Sequence, residues 1–140
     1  MPINFKVKGT DFRLQDTDKY RQWLKDVIKM ENHVTGEINY LFVNDEILLE
    51  ANKKFLNHDY FTDVITFDNS KKAKIAGDVM ISIDRVKENA TKFLPYDFNV
   101  ELKRVMVHAV LHLLGYKDKK ETDKAYMSFK EDAYIDMFPK

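Results

Sequence analysis

Two histidines set four residues apart inside a strongly apolar stretch place a firm demand on the fold. From Val105 to Leu114 the chain reads V-M-V-H-A-V-L-H-L-L, and Gly115 follows. An α-helix turns about 100° per residue, so His108 and His112 come to nearly the same face. Imidazoles buried among Val107, Val110, Leu111, Leu113 and Leu114 would both need polar partners. A single metal ion satisfies both. Gly115 can end the helix in a left-handed conformation that other residues resist, and the chain then turns back. Asp118 is placed to add a carboxylate oxygen. The spacing H-x-x-x-H-x-x-G-x-x-D thus offers two nitrogens and one oxygen. That set suits one zinc ion and leaves a coordination position open for water, as a catalytic site requires.

The rest of the chain supplies elements that could cover such a helix. Ile3, Phe5 and Val7 alternate with polar residues, as in a half-buried strand. Asp16 or Thr17 can cap a helix running to about Asn32, with Tyr20, Trp23, Leu24, Val27 and Ile28 on one face. Gly36 breaks the chain before a second strand through Ile38, Tyr40 and Phe42. Asn44 or Asp45 caps a helix carrying Ile47, Leu48, Ala51, Phe55 and Leu56. Val64 to Phe67 and Val79 to Ile83 read as two more strands. Asp84 opens a helix toward Phe93 that stops before Pro95; a long helix spans about Asn99 to Leu114, and another about Lys120 to Met137. This order predicts an α+β fold, a small mixed four-stranded sheet covered by helices.

The chain of 140 residues reads as one domain, 1–140, with enough length to bury a core. It has no cysteine, which excludes disulfides, thiolate zinc sites and cysteine nucleophiles. Its 23 basic and 23 acidic residues balance, so no overall basic charge points to nucleic acid. Lys71, Lys72 and Lys74, and Lys117, Lys119 and Lys120, read as solvated loops. No stretch reaches the roughly 20 apolar residues that span a bilayer, and Met1 to Lys8 lacks the apolar core of a secretory signal. A cytoplasmic protein with no membrane partner is expected.

The segment Val107 to Lys119 resembles the signature H-G-x-L-H-L-x-G-Y-D-H of the YbeY family of endoribonucleases. Leu56-Asn57, Thr62 to Phe67 and Gly77-Asp78-Val79 resemble the family's L-N, T-D-V-L-S-F and G-D-I blocks in the same order, and Met127 and Glu131 fall where the family often has Met and Glu. The resemblance implies a zincin-like metal-binding helix, one zinc ion held by His108, His112 and Asp118, and single-stranded RNA as substrate. It further implies a role in maturing the 3′ end of 16S ribosomal RNA and in ribosome quality control, with the small ribosomal subunit as partner.

This chain departs from the family pattern at several positions. Asp118 stands where the family has a third His, Lys117 where it has Asp, and Ala109 where it has Gly. The family's loop Arg after L-N is missing from N-H-D-Y-F-T, where His58 reads as an exposed loop residue. Lys53, Lys54 or Arg85 could meet a phosphate instead. Asp63 and Asp78 are expected near the site, either as working carboxylates or as structural ones. Two other functions fit the same helix. One is a zinc peptidase, weakened because Ala109 replaces the Glu of H-E-x-x-H. The other is a ribosome- or RNA-binding module with a structural metal.

Overall fold

The computed structural model describes residues 2–139. Its elements are β1 (Ile3–Lys8), α1 (Thr17–Met30), β2 (Val34–Val43), α2 (Asp45–Leu56), β3 (Val64–Asp68), β4 (Lys74–Ser82), α3 (Ile83–Ala90), α4 (Phe98–Leu113) and α5 (Glu121–Asp136). The four strands form one mixed sheet in the order β1-β2-β4-β3. β1, β2 and β4 run parallel, and β3 joins β4 antiparallel at the edge. The expected α+β architecture is what the chain adopts.

Alternation along the strands divides the molecule. Ile38, Tyr40 and Phe42 of β2 and Val79 and Ile81 of β4 face one way, into a core shared with α1, α3, α4 and α5. Leu41, Val43, Ile65 and Met80 face the other way and pack under Leu48 and Ala51 of α2. α4 is the central helix of the larger core. Val105, Met106, Val107, Ala109, Val110 and Leu111 are all buried, and each of the valine, methionine and leucine side chains contributes about 1.5–3 kcal/mol when fully withdrawn from water. Tyr40 reaches this helix by donating its hydroxyl to the Met106 carbonyl at 2.8 Å.

Gly77 sets how closely α4 approaches the sheet. A Cβ there would lie 2.5 Å from the Phe67 carbonyl oxygen and 2.9 Å from Leu113. With hydrogen at that point, Leu113 at the end of α4 settles directly on β4 beside β3.

Several element boundaries differ from the sequence expectation. Gly36 lies inside β2, where the register with β4 shifts between Thr35 and Ile38. Asp16 precedes α1 with φ 56° and makes no side-chain cap. Its carbonyl, not its carboxylate, accepts from Lys19 and Tyr20. Ser82 caps α3 by accepting from Arg85 N at 3.1 Å, leaving Asp84 in the first turn, and the helix closes at Ala90. Asn44 and Asp97 cap α2 and α4 through their side chains.

Candidate metal centre

The end of α4 builds the centre. Gly115 N donates to the His112 carbonyl and Tyr116 N to the Leu111 carbonyl, each at 3.0 Å. This is the paired bonding of a Schellman turn, with Gly115 at φ 102° supplying the left-handed residue. The turn brings the Tyr116 carbonyl back to within 3.1 Å of His112 Nδ1. Two residues later Asp118 points its carboxylate at the helix it has just left.

His108, His112 and Asp118 meet at one point, as the spacing predicted. Asp118 Oδ2 lies 3.4 Å from His108 Nε2 and 3.3 Å from His112 Nε2, and the two Nε2 atoms are 2.9 Å apart. Donors spaced around a tetrahedral zinc ion, with bonds of about 2.0–2.1 Å, would be about 3.3 Å from one another. The three side chains could therefore hold one metal ion.

The outer nitrogens show how a cation could be held there. His108 Nδ1 lies 2.6 Å from the Glu131 carboxylate, and His112 Nδ1 faces the Tyr116 carbonyl. Both partners only accept, so in the neutral rings each Nδ1 carries the proton. Both Nε2 atoms then present lone pairs to each other and to a carboxylate. Three acceptors converging on one point need a positive charge between them. A proton can supply part of it: burial alone would lower the His108 imidazole, but Glu131, with Asp118 and Asp63, outweighs burial and raises it. A divalent ion satisfies all three donors together.

Charged groups buried around the centre complete it. Glu131, 5% exposed, also accepts from Arg104 at 3.2 Å. Arg104 further bonds Asp132 at 2.7 Å. Glu101 and Asp63 line the adjoining cleft, and burial holds both carboxyls above the usual range. Glu131 had a sequence signal: Met127, Glu131 and Tyr134 form the buried face of α5, so an acid sits inside an apolar stripe.

The other nominated residues divide. Asp63 borders the centre. Asp78 does not: its side chain is on the α2 face of the sheet, accepting from Asn39 at 3.0 Å in a polar row that continues to Asn4. Alternation along β4 sends Asp78 away from α4. Arg85 is engaged with Asp45 at 3.1 Å, Lys53 with Asp59 at 3.5 Å, and Lys54 lies over Phe55. None of the three borders a cleft shared with His108. His58 is exposed, as expected, but it stacks on Tyr60 at the edge of such a cleft. Lys117 and Lys119 flank Asp118 in solvent, while Lys71 to Lys74 form a remote exposed turn.

Fold and site together define an α+β protein with a candidate metal centre built on one helix and its C-terminal turn. The model of the family Endoribonuclease YbeY matches residues 4–139. The chain belongs to that family. It is 50% identical over 135 residues to Endoribonuclease YbeY of Karelsulcia muelleri, covering 95% of this chain and 93% of the relative. It is also 50% identical over 136 residues to the Flavobacterium psychrophilum protein of the same name, covering 97% and 94%. Among solved structures, the solution structure of TM1509 from Thermotoga maritima is similar, with a TM-score of 0.65 and 26% identity over 96% of this chain and 87% of that one. Among the described residues, no helix is long and apolar enough to cross a membrane.

Proposed function

We propose that the protein is a zinc-dependent endoribonuclease that cuts single-stranded RNA, with His108, His112 and Asp118 as the zinc ligands. The observation that carries this is the convergence of two imidazole Nε2 atoms and a carboxylate on one point, within a chain of the YbeY family. A zinc ion there would polarise a phosphoryl oxygen and make a water molecule more acidic.

The protein's own groups do the rest. Glu131 holds the His108 Nδ1 proton and the Tyr116 carbonyl holds that of His112, so both rings keep their Nε2 atoms inward. Asp63, whose carboxyl burial holds above the usual range, stands at the cleft wall within reach of the centre, placed to take up a proton. Lys124, at the mouth of the charged cleft, offers a positive group to a phosphate. A role at the 3′ end of 16S ribosomal RNA, with the small ribosomal subunit as partner and the cytoplasm as location, rests on the family resemblance. The peptidase alternative has no support at position 109, where Ala109 is fully buried in place of a general base.

Elemental analysis of untagged protein, run beside cleavage of a single-stranded 16S 3′-end fragment, tests the proposal. The expected result is about one zinc per chain, with both metal and cleavage lost in His108→Ala and His112→Ala. A metal-loaded protein that leaves RNA intact and cuts unstructured peptides would overturn it.

A further inference from the structure

The centre lies between two clefts that share Asp63, Val64, His108 and Asp118. The first, about 400 Å³, is charged and includes Arg104 and Lys124. The second, about 320 Å³, has no lysine or arginine in its lining. Its lining includes the apolar Leu56 and Ile65, the hydroxyl-bearing Thr62 and Thr66, and, at its exposed rim, His58 and Tyr60.

The rim is held in place. The two rings stack with centroids 5.0 Å apart and planes 20° apart, and the Tyr60 hydroxyl hydrogen-bonds His58 Nδ1 at 2.9 Å. Asn52, 1% exposed, donates its amide to the Tyr60 carbonyl at 2.9 Å, while its own carbonyl accepts from His58 N at 3.1 Å. A buried residue of α2 thus anchors the loop from both sides. Tyr60 remains 55% exposed.

Resting on the ribonuclease proposal above, we infer that the aromatic-rimmed part of this cleft is a subsite for one unpaired nucleobase next to the bond being cut, with Tyr60 as its stacking surface. Asp63 and Asp118 line both clefts, and all three candidate zinc ligands line this one; apart from those groups and His58, its lining carries no charged or basic side chain. A base is neutral, has a flat π-face that stacks on an aromatic ring, and has edge groups that hydrogen-bond hydroxyls. A paired base is already stacked and cannot turn into the cleft, so the subsite selects single strands. The phosphate beside that base would then lie at the centre itself, with Lys124 of the first cleft beyond it.

The test uses zinc-loaded wild type, Tyr60→Ala and Tyr60→Phe. Each is given a short single-stranded RNA, and the same RNA made abasic at either nucleotide flanking the bond that wild type cuts. Fluorescence anisotropy reads binding, and cleavage gives kcat and KM. Tyr60→Ala should weaken binding and raise KM about 5- to 100-fold with kcat little changed, and Tyr60→Phe should behave as wild type. The loss should not vary with salt, because no charge is removed. One of the abasic RNAs should bind wild type and Tyr60→Ala equally. If Tyr60→Ala binds and cuts as wild type does, the subsite is wrong while the ribonuclease reading stands. A loss that persists on both abasic RNAs also overturns it. If wild type neither binds nor cuts RNA, both readings fall.

Discussion

The Glu131 carboxylate lies 2.6 Å from His108 Nδ1 and 3.2 Å from Arg104, so one buried acid on α5 joins an imidazole and a guanidinium of α4. It fixes which nitrogen of His108 faces the centre. Replacing its charge with an amide should loosen that hold without removing a ligand. Glu131→Gln should bind zinc about 10- to 100-fold more weakly. Competition against a chromophoric chelator reads this directly. Unchanged affinity would mean that Glu131 serves packing alone.

Asp118 replaces an imidazole with a carboxylate at the third donor position. Asp118→Ala should lose most of its zinc at micromolar concentrations, while Asp118→His should retain it, since both groups are accepted zinc ligands. Metal content after dialysis decides the matter. Full retention by Asp118→Ala would place the third donor elsewhere.

Glu31, just beyond α1, accepts from Tyr116 at 2.6 Å, from Lys130 at 3.1 Å and from Tyr134. Burial alone would raise its carboxyl, but these three donors outweigh burial and hold it below the usual glutamate range. A depressed folded value means that its stabilisation is complete above the unfolded value of about 4.3 and is lost as pH falls through the folded one. Wild type should therefore exceed Glu31→Gln in urea midpoint near pH 7, and the gap should close toward pH 3. Melts in chelator, which exclude metal loss, give the comparison. A constant gap would rule out the ionised carboxylate as the cause.

At Gly77 an added methyl group would press on the Phe67 carbonyl and on Leu113. Gly77→Ala should cost about 1–3 kcal/mol, as overpacking does. The thermal midpoint measures the loss, and chelator competition shows whether α4 moves with it. Unaltered stability would show that the sheet yields there freely.

The candidate donors were legible because helical periodicity and a glycine stop are local features, contained within residues 108 to 118. The strand segments and the amphipathic face of α1 were legible for the same reason. What surrounds the donors was legible only in part: Asp63 and Glu131 stood out from the family's motifs, but not the contacts they make. Glu131 and Arg104 meet across 27 positions of sequence, and no spacing rule predicts that contact. Asp78 was nominated from its motif, but strand alternation turns its side chain to the opposite face of the sheet. Gly36 looked like a chain break, whereas pairing with β4 carries the strand through it. Ser82 was passed over as a cap because the apolar run of β4 continues beyond it to Ile83, inside α3. The order β1-β2-β4-β3 depends on which edges meet in space, information that alternation within a strand does not contain.

The three candidate donors all lie on α4 and the turn that ends it. An ion there would bridge no distant parts of the chain, and α4 is packed in place by an apolar core to which the candidate donors do not belong. Folding and loading should then be separable events: the chain in chelator is expected to keep its sheet by far-ultraviolet circular dichroism and to regain zinc when it is returned. Which ion occupies the centre is then decided by exchange with the surrounding supply, where donor chemistry and availability compete, and not by which ion was present while the chain folded.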